Sequence, residues 1–159
     1  MIISLRLCAL SVNYKHMKVL ALKVLLAFII SGVLWGENLE TAQADAKQNH
    51  KLVLLYFSGS DWCGPCIKLK QEVLETAEFQ DFAKDHLNLV RADFPRMKKN
   101  QLSKEQTAYN EKLAEKYNPK GKFPLTVLIN PEGKIMSEWD GYPKDLNTQS
   151  IKKQILTHF

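Results

Sequence analysis

The chain has 159 residues, a length that fits one domain, and its 45% hydrophobic share is ordinary for a folded globular protein. The formal net charge of +5 is concentrated near the start: residues 1–36 hold Arg6, Lys15, Lys18 and Lys23 and no acids. Without them 18 basic residues of the chain's 22 face 17 acidic ones, so the balance does not point to nucleic-acid binding.

The first element in chain order is an apolar run, Val24 to Trp35, behind Lys18 and Lys23 and ahead of Gly36-Glu37. A basic flank, a short apolar stretch and a small residue at its end describe a secretory signal peptide. The run falls short of the roughly 20 apolar residues of a membrane span. Residues 1–36 are therefore expected to be a cleaved signal, with a retained membrane anchor as the alternative, and 37–159 the exported domain. Met17 is a second possible start, and Cys8 leaves with the signal under either start.

Residues 38–50 read as a polar helix or linker. Leu52 to Phe57 is an unbroken apolar run that suits a strand covered on both faces. Ser58-Gly59-Ser60-Asp61 breaks it, and a helix starts at the cysteine motif, where Pro65 fits the first turn. Cys66, Leu69 and Val73 recur at helical spacing. A short helix over 78–84 and a strand over 87–93 follow. Arg96, Lys98 and Lys99 read as a solvated loop.

Ser103-Lys104-Glu105-Gln106 is a capping-box pattern, so a helix is expected over 103–117, with Tyr109, Leu113 and Tyr117 facing the core. Leu125 to Asn130 is β-rich, Asn130-Pro131-Glu132-Gly133 signals a turn, and Ile135 to Asp140 returns as a strand. The two strands form an antiparallel hairpin, and residues 147–156 make a last helix.

After the leader two cysteines remain, Cys63 and Cys66. One pair is no disulfide framework, and His50, His86 and His158 lie at no ligand spacing to it, so no metal is expected. Thiol exchange needs a thiolate, and a helix N-terminus offers unpaired N–H groups and partial positive charge that lower a thiol pKa. Cys63 occupies that place and is expected to be exposed, as the nucleophile. Cys66, almost a turn further in, is expected to be more buried and to resolve the mixed disulfide. A static disulfide is the plainer alternative; it would close a tiny loop and constrain the unfolded chain little.

Trp62-Cys63-Gly64-Pro65-Cys66 between a buried strand and a helix resembles the thioredoxin superfamily, and the likeness runs from about Lys51 to Phe159. It implies an α/β thioredoxin fold: a central mixed sheet of about four strands flanked by helices, with an extended helical segment, 94–120, before the cis-proline. Phe123-Pro124-Leu125-Thr126-Val127 resembles the cis-proline entry to the third strand. The resemblance places Pro124 opposite the cysteines, the Phe123 backbone against bound substrate, and Gly141 near the same groove, although Gly141 could equally be a plain strand end. Trp62, Gly64 and Pro65 are the motif's supporting residues.

Two departures stand out. Phe57 occupies the place of a buried Asp found in many thioredoxins, and Gln71 that of a helix-kinking proline. Arg91 aligns loosely with a family lysine.

Gly-Pro between the cysteines resembles the reducing members of the family. Strong oxidants and isomerases more often carry His or Tyr before the second cysteine, and the gap between about −270 mV and about −120 mV separates the extremes. The expected function is an exported, Dsb-type thiol-disulfide reductase in the periplasm. It would act as a monomer on disulfide-bonded exported proteins, without a cofactor beyond the Cys63–Cys66 pair, and be recharged by a membrane dithiol donor. The alternatives are a disulfide oxidase or isomerase, and a redox-inactive binding module or chaperone using a Trp62, Phe123, Pro124 and Tyr142 surface.

Overall fold

The computed structural model describes residues 35, 36 and 38–159; the expected signal sequence otherwise lies outside them. Helix α1 (Leu39–Asn49) begins at Asn38, whose side chain accepts the Thr41 N–H, and ends at His50 in a left-handed conformation. Strand β1 (Leu52–Ser58) follows. Helix α2 (Gly64–Leu69) continues into a single π-helical turn, Lys70–Leu74. Then come α3 (Ala77–His86), β2 (Leu87–Asp93), a 3-10 turn (Lys98–Asn100), α4 (Lys104–Tyr117), β3 (Leu125–Ile129), β4 (Ile135–Asp140) and α5 (Thr148–Leu156).

The four strands form one mixed sheet in the order β2-β1-β3-β4. β1 runs parallel to β2 and antiparallel to β3, and β3 and β4 form the expected hairpin. β1 and β3 are interior strands, so their side chains are buried on both faces, which is why they read as continuous apolar runs. The alternation of β1 divides the core. Leu52, Leu54 and Tyr56 pack with α2, α3 and α5, whereas Val53, Leu55 and Phe57 pack with α1 and α4.

Each element expected over residues 38–159 is present, with differences at the ends. α3 runs longer than 78–84, because Thr76 caps it by accepting the Phe79 N–H. Ser103 Oγ accepts the Gln106 N–H at 3.1 Å and starts α4. Tyr109, Leu113 and Tyr117 face the core beneath α1, with Leu113 and Tyr117 buried. Where the helix-kinking proline is missing, the π turn takes its place: the Glu75 N–H reaches the Lys70 carbonyl, five residues back, at 2.8 Å.

Trp35 and Gly36 already belong to the domain. Gly36 bridges the outer edge of β2, donating to Leu89 O at 2.7 Å and accepting from Arg91 N at 3.0 Å. The Trp35 ring lies 5.8 Å from that of Tyr56. The edge of the sheet is thus partly covered by two residues that lie within the expected leader. Among the described residues no helix is long and apolar enough to cross a membrane.

Candidate functional site

β1 ends at Ser58 because Gly59, Ser60 and Asp61 turn the chain. Gly59 is required by close approach: a Cβ there would lie 2.3 Å from Cε2 of Trp62. The Cys63 N–H bonds back to Gly59 O at 2.9 Å, and Cys63 becomes the N-cap of α2. Its Sγ accepts the Cys66 N–H at 3.2 Å. A thiolate formed at Cys63 would meet the same N–H and the same helix end.

Cys63 and Cys66 are joined as a disulfide with Cα atoms 5.2 Å apart. The expectation that Cys63 is exposed needs correction: the residue is only 5% exposed, against 1% for Cys66. The bonded sulfur is folded back over the first turn of α2, and Trp62 and Phe123 pack against the cluster containing both cysteines. The order of access is as expected, Cys63 the more open, but the opening is narrow.

The sheet brings the second landmark to the first. Phe123-Pro124 is a cis peptide at the start of β3, and Phe123 packs edge-on against Trp62 with ring centroids 5.4 Å apart. Gly141, at φ +72°, donates its N–H to Pro124 O at 2.8 Å. Its positive φ favours glycine, and the bond carries the β3–β4 ladder one step past Asp140 to the cis-proline. Gly64 carries no such constraint, since a Cβ there would meet nothing within 4 Å. Pro65 sits in the first turn of α2 and lines a groove of about 410 Å³ with Lys68, Glu72, Tyr142, Pro143 and Lys144.

Three site residues escaped the sequence reading. Tyr56 donates its hydroxyl to the Cys66 carbonyl at 2.7 Å and is completely buried. Burial above all pushes its pKa up to about 12, with the Asp93 charge adding and a Ser58 hydrogen bond opposing. A tyrosine inside an apolar run gives no sequence signal of this bond, because it depends on how α2 crosses β1. Phe57, in the place of the family's aspartate, faces the opposite core beside α1 and α4.

The second is Asp61. Its carboxylate accepts the Arg96 and Met97 N–H groups, both at 2.9 Å, and Asn100 Nδ2 at 3.0 Å. These bonds, the Arg96 N–H first, hold its pKa below the usual carboxylate value. The third is Arg96, whose guanidinium carbon sits 3.7 Å from the centre of the Trp62 ring. Trp62 Nε1 in turn donates to Phe94 O at 2.7 Å. The segment read as a solvated loop is therefore fastened to the residue beside the first cysteine. Asp61 and Arg96 lie 35 positions apart, a separation at which no periodicity reports contact.

Asp93, at the end of β2, accepts Ser60 N at 2.9 Å and Ser60 Oγ at 2.6 Å. Asn110 Nδ2 of α4 donates to Asp93 O at 2.8 Å, tying the extended helical segment to the same turn. Among the described residues no group of three or more His, Cys, Asp and Glu side chains is placed to hold a metal ion.

The comparisons with known proteins agree with this geometry. Residues 39–153 match the family described as thioredoxin-like domain. The chain is 42% identical over 109 residues to the disulfide bond reductase DsbH of Chlamydia pneumoniae, an alignment covering 69% of this chain and 64% of that protein. It is 33% identical over 82 residues to the thioredoxin-related protein DsbJ of the same organism, covering 42% of this chain and 24% of the other. The alignments thus span less than two thirds of either curated relative. The solved structure of a DsbH oxidoreductase superposes with a TM-score of 0.68 at 34% identity, covering 77% of this chain and 81% of that one. The chain belongs to the thioredoxin-like domain family, with the fold and the paired cysteines of a thiol-disulfide oxidoreductase.

Proposed function

We propose that the protein reduces disulfides of exported proteins in the periplasm by dithiol exchange through Cys63 and Cys66. The observation that carries this reading is the disulfide at the start of α2, with Cys63 Sγ accepting the Cys66 N–H and the cis peptide before Pro124 at the neighbouring strand end.

In the reduced protein the Cys63 thiolate attacks one sulfur of a substrate disulfide. The S–S bond breaks, the other substrate sulfur leaves as a thiolate, and a mixed disulfide forms. Cys66, deprotonated, then attacks Cys63 Sγ. The second substrate thiolate leaves, and the Cys63–Cys66 bond closes. Two electrons pass from the protein to the substrate, and the two substrate thiolates take up protons. A membrane dithiol donor restores the reduced pair by the same exchange in reverse. Phe123 offers its backbone to the substrate as a short β-bridge beside Pro124 and Gly141, and Trp62 and Pro65 flank the point of attack.

The reducing direction is supported by Gly64-Pro65, which places no side chain between the cysteines to stabilise the Cys63 thiolate further. The printed name of the DsbH relative, a disulfide bond reductase, points the same way. Export through residues 1–36 is supported by their basic flank and apolar run.

The test has two arms. The purified protein should reduce insulin with dithiothreitol as donor, and Cys63→Ser should abolish that activity. Its midpoint against glutathione should lie near −270 mV, and a value near −120 mV would replace the reductant with an oxidant.

A further inference from the structure

The surface around the disulfide is cationic on both shoulders. On the Trp62 side stands Arg96, stacked on the indole at 3.7 Å, followed by Lys98 and Lys99 on the 3-10 turn. On the Pro65 side Lys68 and Lys144 line the groove beneath Tyr142. Among the described residues none of these five side chains forms an ion pair.

Three carboxylates stand among these cations and keep their charge while accepting hydrogen bonds from neutral donors. Asp61 is held by two backbone N–H groups and Asn100, Glu72 accepts the Tyr142 hydroxyl at 2.8 Å, and Asp93 is taken by Ser60. Residues 37–159 are almost balanced in charge, and five cations against these three carboxylates leave the rim net positive.

Arg96 is also the cation whose position is fixed. Its backbone N–H is bound by Asp61, and its guanidinium rests against an indole that is itself held by Phe94 O and Phe123. A guanidinium stacked in this way keeps donors for a carboxylate and loses little freedom on binding one.

We propose that this rim docks carboxylate side chains flanking the disulfide of a partner protein, with Arg96 as the residue that selects them. The occupant is an extended segment carrying Asp or Glu next to its cysteine. With the substrate sulfur at Cys63, the residues on either side of it pass over the Trp62 and Pro65 shoulders. The proposal rests on the dithiol-exchange reading, and adds the class of substrate that exchange favours.

The experiment compares three synthetic peptides that share one intramolecular disulfide and differ only in flanking Glu, Ser or Lys. The readout is kcat/KM with dithiothreitol as donor. The expected order is Glu, then Ser, then Lys. The Glu-to-Lys ratio should be about tenfold at low ionic strength and fall toward one near about 1 M salt, where screening acts within ~3 Å. Arg96→Glu should shrink the ratio about fivefold, and Arg96→Gln by less. The Gln variant keeps the backbone bond to Asp61 and guards against a displaced loop in the Glu variant. Equal rates on all three peptides at low salt overturn the docking proposal and leave the reductase reading standing, as does a ratio that neither variant moves. Failure to turn over any of the peptides overturns both.

Discussion

Removing the Tyr56 hydroxyl tests whether the resolving cysteine is held from beneath. In Tyr56→Phe the Cys66 carbonyl loses the 2.7 Å bond and keeps the one from the Lys70 N–H. A net hydrogen bond of this kind stabilises by about 0.5–1.5 kcal/mol, so at pH 8 the wild type should be more stable by about 1 kcal/mol. Alkaline pH should reverse that order. The folded Tyr56 pKa of about 12 lies above its ordinary value near 10. The folded state therefore binds this proton more tightly than the unfolded chain. The stabilisation is complete below pH 10 and is lost as pH rises from 10 to 12. At pH 11 the loss is about 1.4 kcal/mol, enough to bring the wild type level with the variant or slightly below it. Urea titrations of both oxidised proteins between pH 8 and 11 measure the difference, in which the other titrating groups cancel. A difference that stays constant from pH 9 to 11 would refute the reasoning.

Three further outcomes follow from named contacts. Thr126 Oγ1 is buried between Tyr56 and Trp139 on the sheet with no hydrogen-bond partner among the described residues, so Thr126→Val should stabilise by about 1–2 kcal/mol in urea unfolding. Gly59→Ala should destabilise by roughly 1–3 kcal/mol, because the new methyl meets the Trp62 ring, and its indole fluorescence should shift with the displaced ring. Asp61→Ala should release the 96–100 segment, seen as faster hydrogen exchange at the Arg96 and Met97 amides. In the wild type that fastening is present above the ordinary aspartate pKa and is lost as pH falls through the lowered folded value, so the same amides should lose their protection, approaching intrinsic exchange rates, only in strong acid.

The elements themselves were legible because their signals are local. Leu52–Phe57 and Leu125–Ile129 are apolar without interruption, and they are the two interior strands. Pro65, Ser103 and Asn130-Pro131-Glu132-Gly133 mark helix starts and a turn through backbone chemistry that needs no partner. The cysteine spacing fixed the pair at the head of a helix, since sulfurs three residues apart there can meet.

Local sequence therefore carried the order of elements, the chemistry of the cysteine pair and the kinship of its motif. Tertiary structure alone decided what surrounds that pair. Only packing puts the Tyr56 hydroxyl under Cys66, folds Cys63 nearly out of solvent, and turns the 94–100 loop so that Asp61 grips its backbone and Arg96 covers Trp62. Range explains the division: turns, caps and periodicity act over a few residues, whereas these contacts join groups 10 to 36 positions apart and exist only once the sheet has set the register between them.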